Sequence, residues 1–123
     1  MPRFVILLHK PGTASAHLKH FDFMMETQEG TELSTWRWDR LPNASIEFQG
    51  LQLAPHRLEY LNYEGEISGG RGHVSQQVTG TYLEAISCRD SEWEIQLESE
   101  ELAGILRGLH IKDDQWLFDF RQA

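Results

Sequence analysis

Short apolar segments alternate with turn residues along most of the chain. Segments rich in branched and aromatic residues predict strands, and pairs such as Pro11-Gly12 and Asp113-Asp114 predict the turns between them. The predicted strands cover residues 4–8, 21–26, 33–38, 51–54, 72–78, 81–87, 93–98, 105–111 and 116–120. Many short strands at this spacing are typical of a barrel or a sandwich.

Residues 98–108 also fit a helix. Ser99-Glu100-Glu101-Leu102 resembles the N-terminal cap of a helix, and short apolar segments separate the two kinds of structure poorly. A helix at 98–108 is therefore the alternative to a strand in this part of the chain.

Strict alternation makes residues 20–26 the most informative segment. Side chains of a strand point to opposite faces in turn, so His20, Asp22 and Met24 share one face and Phe21 and Phe23 share the other. The aromatic face is predicted to lie in the core. The other face presents an imidazole and a carboxylate, which are ligands for a borderline metal ion.

Two further histidines have similar settings, since His9 ends an apolar segment and His56 opens a strand-like one. If the sheet brings His9, Asp22 and His56 together, they would hold Zn²⁺, Mn²⁺ or Fe²⁺ and leave positions open for water or substrate. The spacing matches no compact metal motif, so on chemistry alone ordinary hydrogen-bonded histidines are the alternative.

Composition bounds the class of protein. The 123 residues fit one domain, 1–123, with 40% hydrophobic and 24% charged residues and a single cysteine, Cys88, which excludes an internal disulfide. A net charge of −8 argues against a protein that coats nucleic acid by electrostatics. No apolar run approaches the length of a membrane span, so we expect a soluble, cytoplasmic protein without a membrane partner.

Other residues are assigned simpler roles. Arginine binds phosphate bidentately, so the candidate phosphate ligands are Arg37, Arg40, Arg57 and Arg71, with a solvated surface charge as the alternative for each. The residues predicted to lie in the core are Trp36, Trp38, Trp93 and Trp116, and those predicted to face solvent are His17, His73 and His110.

Three segments carry a resemblance to a known family. Residues 3–9 are followed by His20-Phe21-Asp22-Phe23, residues 56–65 read His-Arg-Leu-Glu-Tyr-Leu-Asn-Tyr-Glu-Gly, and Gly80-Thr81-Tyr82 precedes matching strands at 106–118. In this order they resemble the 3′-phosphoesterase domain of bacterial DNA ligase D, which also occurs as a stand-alone protein. The second segment is the most specific.

The resemblance implies a small, mainly β, antiparallel β-barrel with a central cavity. It implies removal of a terminal ribonucleoside and then of the 3′-phosphate from DNA ends during repair, with Mn²⁺ as the expected ion and Zn²⁺ as the alternative. The implied metal ligands are His9, Asp22 and His56, and the implied catalytic residues, which contact the phosphate, are His20 and Tyr60. The implied partners are a primer-template 3′ end and a separately encoded ligase or polymerase.

The chain departs from the family pattern in ways that leave rival readings open. Met24 stands where the family has a phosphate-binding arginine, and Ala54 stands where it has an acidic residue. Arg37, Arg40 or Arg71 would have to supply a replacement guanidinium. One rival is a non-catalytic metal-binding relative that recognises a nucleic-acid end or a protein partner, and the other is an acidic barrel that binds no metal.

Overall fold

Nine strands and one short 3₁₀ helix make up the computed structural model, which describes residues 2–12, 19–27, 32–44, 46–67, 72–89 and 91–122. The strands are β1 (Arg3–Lys10), β2 (His20–Glu26), β3 (Leu33–Trp38), β4 (Phe48–His56), β5 (Gly65–Ile67), β6 (Gly72–Arg89), β7 (Glu92–Glu98), β8 (Gly104–Lys112) and β9 (Gln115–Gln122). The 3₁₀ helix is Leu58–Leu61.

All nine predicted strands are confirmed, but two of them, 72–78 and 81–87, form the single strand β6. The short strand β5 was not predicted. The alternative helix at 98–108 is wrong, because β7 continues to Glu98 and β8 begins at Gly104. Ser99 does accept a hydrogen bond from the backbone N–H of Glu101, yet this turn leads into a strand.

The sheet closes into an eight-stranded antiparallel barrel. Its strands follow the order β1-β2-β3-β4-β9-β8-β7-β6, and β6 pairs back with β1, while β5 adds to the beginning of β6. The prediction of a small antiparallel β-barrel is confirmed. Among the described residues, no helix is both long and apolar enough to cross a membrane.

An aromatic cluster to which all eight barrel strands contribute fills the barrel. The four tryptophans predicted for the core are all buried in it, and the rings of Phe23 and Trp38 stack with centroids 4.8 Å apart. Two glycines make room for these rings: a Cβ at Gly50 would lie 2.7 Å from Trp38, and one at Gly108 would lie 2.8 Å from Trp93. The interior is therefore packed, as small barrels require.

A second apolar cluster lies on the opposite face of the β1–β2–β3 wall. It consists of Val5, Leu7, Met24, Leu33, Leu61 and Val74, with Tyr60, Tyr63 and Ile67 packed against it. Because the segment that joins β4 to β5 supplies several of these residues, this segment covers the outer face of the wall. The covered face is where the candidate site lies.

A register shift in β6 allows this strand to contribute side chains to both the aromatic cluster and the outer apolar cluster. Ile6 pairs with Val78 but Leu7 pairs with Gln76, so one extra residue of β6 is inserted between these pairs. An inserted residue changes which side chains face which side of a sheet. Val78 therefore packs in the barrel interior, whereas Val74 packs in the outer cluster beside the site.

Candidate metal centre

The end of β1 and the start of β2 bring three metal-ligand residues together. In this antiparallel pair Leu7 lies opposite Asp22, and His9 lies opposite His20. Residues that are opposite across a pair of strands point to the same face, and every second residue along a strand shares it. His9, His20 and Asp22 therefore all point away from the aromatic core, on the face that the sequence alternation predicted for His20 and Asp22.

The donor atoms of these three residues all lie within 4.8 Å of one another. His9 Nδ1 is 3.1 Å from His20 Nε2 and 3.9 Å from Asp22 Oδ2, and His20 Nε2 is 3.3 Å from Asp22 Oδ1. The two imidazole rings meet edge to face, with centroids 4.7 Å apart. Two imidazole nitrogens and one carboxylate oxygen suit Mn²⁺, Fe²⁺ or Zn²⁺.

Burial supports a metal at this place. Asp22 is 5% exposed and His20 is 7% exposed. Asp22 Oδ1 is buried and makes no well-formed hydrogen bond with the described residues, although His20 Nε2 lies 3.3 Å away. Leaving a buried carboxylate oxygen unsatisfied is costly, and a coordinated cation is one way to satisfy it. The three residues therefore fit a divalent ion, as the chemistry of the donor set requires.

A cavity of about 160 Å³ opens beside this group. Its polar lining consists of His9, Asp22, Arg37, His56 and Tyr60, and its apolar lining consists of Met24, Leu53, Ile67 and Val74. The resemblance implied a central cavity, but the barrel interior is filled by the aromatic cluster and this cavity lies elsewhere. It lies on the outer face of the barrel wall, between the wall and the covering segment.

His56 lines the cavity without joining the three-residue group. Its Nδ1 donates a hydrogen bond to the backbone carbonyl of Ala54 at 3.0 Å, and its ring lies 5.6 Å from that of Tyr60. Because a carbonyl oxygen only accepts, Nδ1 carries the hydrogen and Nε2 is left to interact with a ligand. The group formed here contains His20 where the sequence assigned His56, so a ligand role for His56 stays a prediction.

The candidate phosphate-binding arginines differ in position. Arg37 lines the cavity and lies opposite Asp22 in the β2–β3 pair. Arg40 lies beyond the end of β3, where hydrogen bonding to Asp39 and the charge of that carboxylate raise the pKa of the Arg40 guanidinium. Arg57 is exposed and forms an ion pair with a neighbouring glutamate. Arg71 lies outside the described residues.

His73 and His110, the other two histidines that the structure describes, do not line the cavity. His73 is exposed, as predicted, and His17 lies outside the described residues. His110 is half-buried, donates a hydrogen bond to the carbonyl of Asp113 at 2.6 Å and packs beside Trp116. His110 is therefore only partly exposed to solvent, because one side of its ring packs beside Trp116.

The sequence analysis missed the grouping of His20 with His9. The signal for it was the pairing of β1 with β2, since an antiparallel pair places these two residues opposite each other. Comparison with protein-family models and with curated proteins finds no match to this chain. The function must therefore be inferred from the geometry and chemistry of the site.

Proposed function

We propose that this protein is a metal-dependent phosphoesterase that removes the terminal phosphate from a DNA 3′ end. The observation that carries the proposal is a buried group of two histidines and an aspartate that opens into a cavity containing a guanidinium, a third imidazole and a phenol. A cation beside several hydrogen-bond donors is the environment in which phosphoryl transfer is stabilised. The resemblance to the phosphoesterase domain of DNA ligase D points to the same chemistry.

In this proposal His9, His20 and Asp22 hold the metal, with Mn²⁺ as the expected ion and Zn²⁺ as the alternative. A divalent ion at such a site polarises a phosphoryl oxygen and makes a bound water more acidic. Asp22 contributes negative charge that offsets the charge of the ion. The two histidines contribute neutral nitrogen ligands held on adjacent strands, which limits their movement.

His56 and Tyr60 act on the phosphate from the other side of the cavity. The phenol O–H of Tyr60 is a hydrogen-bond donor. Because Nδ1–H bonds a carbonyl oxygen, Nε2 of neutral His56 is an acceptor, and it becomes a proton donor once His56 takes up a proton to form the imidazolium. His56 is therefore placed to protonate a leaving oxygen, the task of a general acid. Relative to the roles implied by the resemblance, His20 and His56 exchange places.

The net negative charge of the protein is consistent with binding to the end of a DNA strand rather than along its backbone. A net charge of −8 disfavours long contacts with the DNA backbone, because such contacts gain affinity from neutralised phosphates. A cavity of about 160 Å³ admits a terminal phosphate rather than a continuous duplex. Recognition of a strand end therefore rests on the metal and the local donors.

The test is release of inorganic phosphate from a primer-template that carries a 3′-phosphate, with Mn²⁺ supplied. The wild type and His73→Ala, which changes an exposed histidine outside the cavity, are expected to release phosphate. His20→Ala should release none and should retain less metal by elemental analysis. Equal activity in His20→Ala and His73→Ala would contradict the proposal.

A non-catalytic relative that binds metal and a nucleic-acid end is the second candidate. It is favoured by Met24, which is 1% exposed and gives the cavity an apolar wall where the resembling family has an arginine. Wild-type protein that folds, binds metal and retains a 3′-phosphorylated end without releasing phosphate would support this candidate. A protein purified without chelator that contains no metal would support the acidic barrel that binds none.

A further inference from the structure

Among the arginines whose side chains the structure describes, Arg37 alone makes no hydrogen bond or ion pair with another described residue. Side chains are described for six arginines, and five of them bond a carboxylate or an amide. These five are Arg3 with Asn62, Arg40 with Asp39, Arg57 with Glu59, Arg107 with Asp119, and Arg121 with Glu94. Arg37 makes no hydrogen bond or ion pair with any residue in the described part of the chain, and its Nε is buried.

A buried guanidinium nitrogen without a partner is unusual. Buried charged groups are normally paired, because leaving one unsatisfied costs more than a neutral hydrogen bond returns. Four of the other arginines with described side chains form ion pairs even though they are largely exposed. The half-buried Arg37 therefore has capacity for a ligand that enters the cavity it lines.

Strand geometry directs Arg37 at the candidate metal centre. Arg37 is the cross-strand partner of Asp22, and the two side chains leave the same face of the sheet. No ion pair joins them among the described residues, although their strand positions are adjacent. A guanidinium beside a metal ligand, but not bonded to it, is placed to contact an anion that also approaches the metal.

β2 has no arginine that could bind such an anion. Met24 follows Asp22 by two residues and points to the same face, but it has no donor and packs in the cluster with Val5, Leu7 and Leu33. Among the described residues that line the cavity, the one guanidinium is that of Arg37, on the neighbouring strand β3.

We propose that Arg37 is the residue that binds the phosphate group of the substrate, donating charged hydrogen bonds to its oxygens from β3. This inference rests on the proposed function and names the residue that recognises its phosphate. A planar guanidinium binds two oxygens of one phosphate at once, which an ammonium does not do with the same geometry. Arg37 thus selects a terminal phosphate dianion over a neutral strand end.

Because Arg37 lies beside Asp22, removing its guanidinium should change phosphate affinity and metal affinity in opposite directions. Arg37 attracts phosphate but repels a cation held by Asp22, since both carry positive charge. Removing the guanidinium should weaken phosphate binding and should leave metal binding unchanged or slightly tighter. A residue that merely supported the fold would weaken both.

The experiment is calorimetric titration of inorganic phosphate into Mn²⁺-loaded protein, and of Mn²⁺ into metal-free protein. Arg37→Ala is expected to weaken phosphate binding about 10- to 100-fold, the range for hydrogen bonds to charged groups. Arg37→Lys keeps the positive charge but loses the planar guanidinium. Its affinity for phosphate should lie between those of Arg37→Ala and the wild type. Arg40→Ala removes an exposed arginine outside the cavity and should match the wild type.

Binding of phosphate by the Arg37→Ala protein as tight as that of the wild type would overturn the inference, and so would a wild type that binds none. A joint loss of metal and phosphate binding in both Arg37 variants would also overturn it. Because the titration requires no turnover, a protein that binds phosphate through Arg37 without hydrolysis would contradict the proposed function alone. A hydrolase indifferent to Arg37 would contradict this inference alone.

Discussion

Asp22→Asn is the substitution that tests the candidate metal centre with the least change of shape. It removes the only carboxylate of the group and keeps the volume of a side chain that is 5% exposed. In the metal-free protein we expect little change in stability, because a buried charge is removed while the asparagine keeps an oxygen that can face His9 and His20. The stabilisation by metal should disappear.

The size of the lost stabilisation follows from mass action. A ligand that binds only the folded state at a hundred times its Kd adds about 2.7 kcal/mol. For 123 residues the unfolding entropy is about 0.26 kcal/mol/K, so 1 kcal/mol corresponds to about 4 °C. Saturating Mn²⁺ should therefore raise the Tm of the wild type by about 10 °C. The Tm of Asp22→Asn should rise by less than about 2 °C, since one ligand and the only negative charge are gone.

Scanning calorimetry with EDTA and then with Mn²⁺ measures both effects on the same protein. His73→Ala serves as the control, because it removes an exposed histidine outside the group and should keep the full rise in Tm. A full rise in Asp22→Asn would refute the assignment of this carboxylate to the metal. A large loss of stability of Asp22→Asn in EDTA would refute the reasoning about its buried charge.

Two other substitutions test the core and the phosphate contact. Gly108→Ala places a Cβ 2.8 Å from Trp93 Cζ2 and 3.1 Å from Phe118, so urea denaturation should show a loss of about 1–3 kcal/mol, and an unchanged midpoint would contradict this packing. Met24→Arg adds a second guanidinium to the cavity and should increase 3′-phosphate release, with a larger factor in an Arg37→Ala background. Folded, metal-binding variants with no gain in either background would show that more than one phosphate contact is missing.

The strands and the barrel could be predicted because each strand leaves a local pattern. Residues 20–26 alternate so regularly that the faces of His20 and Asp22 follow from the sequence alone. β5 left no such pattern, since three residues are too few to show a period. The alternative helix at 98–108 was predicted wrongly because the side chain of Ser99 makes the same local hydrogen bond in a turn as at the start of a helix.

The ligand grouping could not be read from spacing. Ten residues separate His9 from His20, so no tight turn dictates which residues of the two strands lie opposite. The pairing is set instead by burial, because only this register keeps Ile6 beside Phe23 within the aromatic core. The position of His56 depends on the path of the covering segment, which the sequence pattern does not specify.

The end of β3 determines which of the candidate phosphate-binding arginines lines the cavity. β3 ends at Trp38, so Arg37 belongs to the sheet and alternates with Trp36 and Trp38, whereas Arg40 lies beyond the last pair. The buried tryptophans on either side force Arg37 to the opposite face, where the cavity is. Three arginines were predicted as replacements for the family's arginine. This set could have been narrowed from the sequence by including the charged residue of β3 in the alternation of that strand.

The inner face of β2 and β3 stabilises the fold, whereas their outer face carries polar groups of the candidate site. On the inner face, rings such as Phe23 and Trp38 are stacked and buried, which fixes the backbone of β2 and β3. On the outer face, the same backbone holds the unsatisfied Asp22 Oδ1 and Arg37 Nε, whose desolvation opposes folding. A rigid core can tolerate such groups, and it keeps them in place before any ligand arrives. Substitutions in the core should therefore disturb metal and phosphate binding only as far as they move these strands. Substitutions of the polar outer-face residues Asp22 and Arg37 should alter binding with little change in stability, whereas those in the outer apolar cluster should also lower stability.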